Sequence, residues 1–411
     1  MKALVLGYGR SGKAAEALLK ARGAESVVLA DDARDRIEGE GHDFVVVSPG
    51  IALTHPWVVE AKRRGMPLKS ELQLGCEELK RRGWKLLAVT GSKGKSSVVK
   101  VVADAINLAG GHAVACGNYG KPVCEVAFED GRRETEDGNV RWAVVEVSSF
   151  MMETTTLPPD TFEAAAILNL QEDHLDRHGS VEVYHGLKRK LLTFAKKGFG
   201  PAATFLSPPL WSGSYFDNEI LAGNAEVAAE LMRVAGLDDA RIAAAFKHFE
   251  PLPHRMNLVA EIDDVRYIDD SKATSLAAMI AGIRMAMPIA KVGVLGLKTE
   301  DGRRGKGIRL IAGGLPKGDD PKSALATLTS RVKKVYLIGQ CAEVFSAAWK
   351  GAVDCEICGT MERAVEAAKR EAEKGETVLL SPGTASFDQF QSYGERGDVF
   401  ARLVKKEGQP K

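Results

Sequence analysis

Gly91, Gly94, Lys95 and Ser96 stand in the order that phosphate chemistry needs, within Lys85–Ser97, KLLAVTGSKGKSS. Glycines let backbone N–H groups approach an anion, a lysine four residues on reaches outer phosphates, and a serine hydroxyl at the helix entry can ligate Mg²⁺. A Gly/Ser turn capping an ordinary helix would share this composition, and the G-x-x-G-K-S spacing is tighter than the general phosphate-loop pattern. Two further groups sit where such a loop would use them. Glu146 ends the apolar run Trp142 to Glu146, a position suited to holding the Mg²⁺ of a nucleotide. Asn169 to Arg177, NLQEDHLDR, places His174 among acids directly after another apolar run. A run of polar side chains at a strand end is costly in a core and cheap in a site.

These residues need strands to aim them. Leu86 to Val89 predict a strand leading into the loop, and Val98, Val101, Val102, Ala105 and Ile106 recur with the period of a helix leaving it. Trp142 to Glu146 and Ala164 to Leu168 predict two more strands. Nearer the start, Ala3 to Gly7 predict a strand, Gly7, Gly9 and Gly12 form G-x-G-x-x-G, and Lys13 to about Arg22 a helix. Ser26 to Ala30 predict a second strand ending at Asp31 and Asp32, where an acid would meet a ribose hydroxyl. Phe44 to Val47 predict a third, running into the turn Ser48, Pro49, Gly50, Ile51. A nicotinamide-dependent oxidoreductase built on this glycine turn would leave Lys95 and His174 without a purpose. Gly117, Asn118, Tyr119, Gly120 read as a turn whose amide could face a ligand. Towards the C-terminus, Val265 to Ile268 and Thr377 to Leu380 predict strands, the first ending in Asp269 and Asp270.

The chain of 411 residues is too long for one core, which makes two or three α/β domains the expectation. Lys and Arg total 56 against 55 Asp and Glu, so no global field recruits nucleic acid or an anionic membrane. MKALVLGYG is too short an apolar run for a signal peptide, and no later stretch suits a membrane span, so a cytoplasmic enzyme is expected. Six scattered cysteines do not make a disulfide framework, and the pair Cys355 and Cys358 lacks a second pair for zinc.

Several motifs in order resemble the Mur ligases, ATP-dependent amide-bond-forming enzymes of peptidoglycan synthesis. TGSKGKSS is similar to the family ATP loop, EVSSF to its Mg²⁺ strand and ILNLQEDHLDRH to its metal-binding histidine segment. SPGIALTHP, GNYG, LPHRM, IDDSKATS and SPGTASFDQF most resemble the branch that joins D-glutamate to UDP-N-acetylmuramoyl-L-alanine. The resemblance implies three α/β domains: a Rossmann-like UDP-sugar domain over 1–86, a central P-loop ATPase-like domain with a parallel sheet over 87–251, and a Rossmann-like C-terminal domain over 252–411 that closes over the acceptor. It implies a monomer.

It also implies roles. Gly9, Arg10, Ser11, Asp31, Gly50 and Asn118 would meet the UDP-sugar, with no nicotinamide needed. Gly91, Ser92, Lys93, Gly94, Lys95, Ser96, Ser97 and Asn224 would hold ATP, with Arg255 reaching the γ-phosphate and Asp270 the ribose. Ser96, Glu146 and His174 would bind Mg²⁺. Lys188, on a helix from about Val181 to Ala195, falls where the family carries a carbamylated lysine that joins the metal site; by its own residues it reads as an exposed helix lysine. Lys272, Thr274, Ser386, Phe387 and Tyr393 would bind D-glutamate. Lys95, His174, Lys188 and Arg255 would be the catalytic set.

The departures are specific. Met151 and Met152 replace Gln-Leu of the family phrase Ser-Ser-Phe-Gln-Leu. After Phe194 the central domain shortens to a Gly/Ser/Pro-rich connector before Asn224, without the family's Gly-x-His-Asn element. The lysine of the family's Leu-Gly-Gly-x-x-Lys segment has no clean match in Val294, Leu295, Gly296, Leu297, Lys298, where Lys298 is a shifted candidate. A folylpolyglutamate-type acceptor, or a homologue that binds nucleotide without turnover, is the alternative these departures raise.

Overall fold

The computed structural model describes residues 1–30, 34–38, 40–130, 140–202, 209–286 and 307–406. Asp31 and Lys298 lie outside the described residues. The chain forms two compact units, Met1–Ser212 with Gly223–Phe249, and Gly213–Ala222 with Glu250–Lys411.

The first unit carries two parallel sheets. In the N-terminal one, β1 (Lys2–Leu6), β2 (Glu25–Leu29), β3 (Phe44–Val47) and β4 (Leu68–Ser70) lie in the order β2-β1-β3-β4. Strand order reverses between β1 and β3, so a ligand crevice opens beyond their carboxyl ends. Helices α1 (Arg10–Ala21), α2 (Pro56–Arg63) and α3 (Glu71–Arg81) complete this part. Pro56 at the first helical position, with His55 as N-cap, starts α2, and the Ser70 hydroxyl caps α3 by accepting from Gln73 N at 2.9 Å.

The second sheet contains β5 (Lys85–Thr90), β6 (His112–Gly117), β7 (Arg141–Glu146), β8 (Ala164–Ile167) and β9 (Gly198–Phe199) in the order β6-β7-β5-β8-β9. It is parallel throughout, and β5, β7 and β8 are near-continuous apolar runs because helices cover both faces. With α4 (Lys95–Leu108), α5 (Val123–Asp130), α6 (Ser149–Met152), α7 (Leu175–His178) and α8 (Val181–Lys190), it brings the loops after β5, β7 and β8 to one end. Between Phe194 and Asn224 the described chain adds one short strand. Gly198–Phe199 extends the sheet beside Ala165 and Ala166, and α9 (Ala222–Val234) and α10 (Asp239–Lys247) follow.

One apolar core joins the two sheets, from Val5 and Leu18 through Leu72 and Leu79 to Val123 and Val145. Within it, an added Cβ at Gly75 of α3 would stand 2.7 Å from the backbone of Val123 and Cys124. Only a glycine lets α3 and α5 approach so closely.

The second unit is a six-stranded sheet in the order β10-β11-β15-β12-β13-β14. Among the described residues its strands are β10 (Asn257–Ile262), β11 (Val265–Asp269), β12 (Ile308–Gly313), β13 (Val332–Ile338), β14 (Asp354–Gly359) and β15 (Thr377–Leu380), of which only β10 runs antiparallel to its neighbour. Among the described residues no helix is long and apolar enough to cross a membrane.

Candidate active site

The loop after β5 forms a cradle. Gly94 is left-handed at φ 84° and caps α4, whose first residues are Lys95 and Ser96. Gly91, at φ 149°, lies against Leu168 and Asn169 at the end of β8, where a side chain would crowd both. Asn169 then clamps the loop: its Oδ1 accepts from Ser92 N at 3.1 Å and Lys93 N at 2.8 Å, and its Nδ2 donates to Lys93 O at 2.8 Å. The same Nδ2 donates to Asn224 Oδ1 at 3.2 Å, which brings buried Asn224 to the loop. Asn169 had been only one polar residue among several; its signal was its place as the second residue beyond β8. Lys95 Nζ donates to Gly91 O at 2.9 Å and Ser92 O at 3.2 Å.

Lys188 differs from its sequence reading. It is 2% exposed, not a solvated helix residue, because α8 turns this face onto the loop. Its Nζ donates to Gly91 O at 2.9 Å and lies 4.4 Å from the centre of the Tyr184 ring. Burial first, then the charge of Lys95, lowers its pKa to about 7. Tyr184, also buried, donates its hydroxyl hydrogen to Ser92 Oγ at 3.2 Å. Neither the burial of Lys188 nor the role of Tyr184 has a sequence signal beyond their i, i+4 spacing. The helix is also shorter than expected, since α8 ends at Lys190 and a 3-10 turn, Leu191–Phe194, follows.

Glu146 is 2% exposed at the end of β7. Its Oε1 accepts from Asn118 Nδ2 at 2.8 Å and its backbone O from Asn118 N at 2.9 Å, while its Oε2 is buried without a hydrogen-bond partner. A buried carboxylate oxygen lacking a donor fits a cation. Among the described residues no three His, Cys, Asp or Glu side chains converge as a metal cage. Mg²⁺ needs none, being commonly held by one or two oxygen ligands with phosphates and water. Ser96 and Glu146 suit it; Lys188 does so only as an oxygen-bearing carbamate. His174 caps α7 in a left-handed conformation at φ 52°, with its ring 4.9 Å from Phe150 and its Nε2 3.7 Å from Asp173 Oδ2.

Gly9, Arg10, Ser11, Gly50 and Asn118, all expected to meet the UDP-sugar, lie around the crevice of the first sheet. Ser48 donates its hydroxyl hydrogen to Gly7 O at 3.0 Å, setting the turn that contains Gly50 beside the one containing Gly9, Arg10 and Ser11. A Cβ at Gly12 would collide with Gly7 O, which explains the third glycine of the motif. Arg10 Nη2 donates to Gly120 O at 2.9 Å, bringing the turn of Asn118 to the same place.

Within the second unit, Asp270 lies buried past the end of β11, and Ser381 donates a hydroxyl hydrogen to its Oδ2 at 2.8 Å. Burial pushes its carboxyl up to about 7 against that bond. His254 Nδ1 is 2.7 Å from Asp269 Oδ2, and Lys272 N donates to His254 O at 3.0 Å, so the segment of Arg255 is tied to that of Lys272. Lys272 Nζ donates to Tyr393 OH at 3.0 Å. Thr274 N donates to Lys272 O at 2.8 Å. Ser386 is buried, whereas Phe387 is 70% exposed. Arg396, absent from the expected set, is fully buried and braces this region, donating to Ser271 O at 2.9 Å and to Thr384 O and Ala385 O at 3.2 Å.

The glycine-glycine lysine also becomes placeable. Gly313 ends β12, and Gly313, Gly314, Leu315, Pro316, Lys317 has the G-x spacing sought around Lys298: Gly-Gly-x-x-Lys. Leu315 N donates to Ala385 O at 3.0 Å, which sets this loop beside Ser386, and a cavity of about 150 Å³ there is lined by Lys317, Leu276 and Thr384.

Residues 89–202 match the Mur ligase middle domain and residues 254–383 the Mur ligase glutamate ligase domain. The chain is 33% identical to the UDP-N-acetylmuramoylalanine--D-glutamate ligase of Acidobacterium capsulatum, covering 98% of this chain and 96% of that one. It is 30% identical to the enzyme of the same name from Chlamydia caviae, over 98% and 97% of the two chains. The MurF ligase from Thermotoga maritima, solved in complex with ADP, shares the fold with a TM-score of 0.54 at 13% identity, over 92% of this chain and 97% of that chain. With two family domains matched in order and relatives aligned from end to end, this chain belongs to the Mur ligase family.

Proposed function

We propose that the chain is an ATP-dependent ligase adding D-glutamate to UDP-N-acetylmuramoyl-L-alanine in peptidoglycan precursor synthesis. The observation that carries this is end-to-end similarity to enzymes of that name, at 33% and 30% identity, around an intact phosphate cradle. The L-alanine carboxylate of the UDP-sugar substrate attacks the γ-phosphorus, ADP leaves, and the acyl phosphate formed is then attacked by the amine of D-glutamate with loss of phosphate. No side chain need become covalently linked, since positioning and charge stabilisation supply such barrier reductions.

Gly91 to Ser97 and Asn224 would bind ATP, and Lys95 would offset charge on the transferring phosphoryl group. Ser96 and Glu146 would hold Mg²⁺, with His174 at the edge of the site; the metal supplies charge stabilisation to the phosphates. A lowered pKa leaves much of Lys188 as free amine at neutral pH, which favours its conversion to a carbamate. Gly9, Arg10, Ser11, Gly50 and Asn118 would face the UDP-sugar, and Asp31 its polar groups. Arg255 and Asp270 would be nucleotide contacts. Lys272, Thr274, Ser386, Phe387 and Tyr393, joined by Lys317, would bind D-glutamate. The enzyme would work as a cytoplasmic monomer.

The test is phosphate release with ATP, Mg²⁺, UDP-N-acetylmuramoyl-L-alanine and a panel of amino acids. D-Glutamate should give the fastest release; faster turnover with L-glutamate on a pteridine acceptor would move the chain to the folylpolyglutamate-type reaction.

A further inference from the structure

We infer that Arg177 is a positioning residue that fixes the Gly50 turn against the His174 segment, and so sets where the UDP-sugar carboxylate lies relative to the phosphate loop. The inference rests on the assignment of the Gly50 turn to the UDP-sugar. Arg177 stands three residues after His174, on α7. Its Nη2 donates to Ile51 O at 2.8 Å and Pro49 O at 3.4 Å, the two carbonyls flanking Gly50. The same guanidinium grips Glu153, Nε to Oε1 at 3.0 Å and Nη2 to Oε2 at 2.6 Å, and lies 5.0 Å from the Phe150 ring centre. Glu153 also lies 3.3 Å from Nδ1 of His178, whose Nε2 is 3.0 Å from Ser149 Oγ.

One side chain therefore ties the turn after β3, the segment after β7 and the segment after β8. Both charges of the pair are largely buried, with side-chain exposures of 15% for Arg177 and 8% for Glu153. They cancel, so the pair acts through geometry more than through a field. A planar guanidinium can serve a carboxylate and backbone carbonyls together in fixed directions, which a lysine ammonium cannot do. Misplacement of a reacting group by about 1 Å can cost about 10²-fold in rate. A plain structural brace predicts something else: lower stability, with both nucleotides weakened alike.

Arg177→Lys and the double variant Arg177→Met/Glu153→Gln separate these. The double variant removes both charges, so no buried carboxylate is left unpaired. Calorimetric titration with UDP-N-acetylmuramoyl-L-alanine and with Mg²⁺-ADP, alongside kcat and thermal melting, reads the outcome. The inference expects the UDP-sugar Kd to rise at least about tenfold and kcat to fall about 10–100-fold, with the ADP Kd within about twofold of wild type. An unchanged UDP-sugar Kd in a folded variant overturns it, as does equal weakening of both ligands. Should the double variant not fold, the lysine variant decides by the same two criteria. Wild type that binds ADP and no UDP-sugar overturns the functional assignment and this inference together, whereas wild type that binds both leaves the variants to test Arg177 alone.

Discussion

Lys95 and Lys188 share one acceptor: each donates its side-chain nitrogen to the carbonyl oxygen of Gly91 at 2.9 Å. Burial, and then the charge of Lys95 at the same oxygen, lowers the pKa of Lys188 to about 7. The loop thus sets the Lys95 side chain beside an amine that is partly neutral near pH 7.

That asymmetry gives a pH prediction. Below about 7 the Lys188 nitrogen is protonated and inert to CO₂; above it the neutral amine reacts. The signal of a ¹³C-labelled carbamate, followed by NMR in labelled bicarbonate, should therefore grow from pH 6 to pH 8 and be absent in Lys188→Ala. A carbamate signal in the alanine variant, or none in wild type, would refute the assignment. Stability has the same sign: the unfolded lysine titrates near 10.5, so between about 7 and 10.5 the unfolded chain binds the extra proton and this group's contribution to stability rises with pH.

Lys95→Ala should lower phosphate release by about 10²–10³, the loss expected for one charge-stabilising donor. Binding of the UDP-sugar should stay close to wild type, because most of the residues expected to meet it, Gly9, Arg10, Ser11 and Gly50, lie at the crevice of the N-terminal sheet. Near-normal turnover would remove the loop from the phosphoryl-transfer site.

Asn118 is hydrogen-bonded to Glu146 Oε1, so its loss should be felt at the metal as well as at the sugar. Asn118→Ala should raise the Mg²⁺ concentration needed for half-maximal activity about 10–100-fold, as is typical when a residue orienting a metal ligand is lost. Direct Mg²⁺ titration of the nucleotide complex checks it; an unchanged requirement would leave Asn118 as a sugar contact alone.

Lys317 and Lys298 make opposite predictions for the acceptor. Lys317→Ala should raise the D-glutamate KM about 10–100-fold, the equivalent of one charge-assisted hydrogen bond. Lys298→Ala should stay within about twofold. The reverse result would make Lys298 the acceptor lysine.

Gly75→Ala would drive a methyl group to 2.7 Å from the backbone of Val123 and Cys124. It should destabilise the first unit by about 1–3 kcal/mol, visible as a lower melting temperature, since helix backbones cannot yield as a flexible side chain can. Unchanged melting would mean that α3 and α5 separate without cost.

What the sequence determined was local and periodic. Apolar runs ending in Gly91, Glu146 and Asn169, and glycines at 7, 9 and 12, depend on neighbours a few positions away, and β3 and β15 run over the residues that Phe44 to Val47 and Thr377 to Leu380 predict. The tertiary structure decided what distant segments do to one another. Lys188 looked exposed because a helix's residues do not reveal which face is covered; packing α8 on the loop made it a buried amine. Asn169, Tyr184, Arg177 and Arg396 matter through partners that are far away along the chain, from Asn169 reaching Lys93 to Arg396 reaching Ser271. Lys317 shows its Gly-Gly-x-x-Lys spacing in the sequence, but its place beside Ser386 follows from β12 ending at Gly313 next to β15. Hydrogen bonds and desolvation depend on distance in space, and only the folded chain sets that distance.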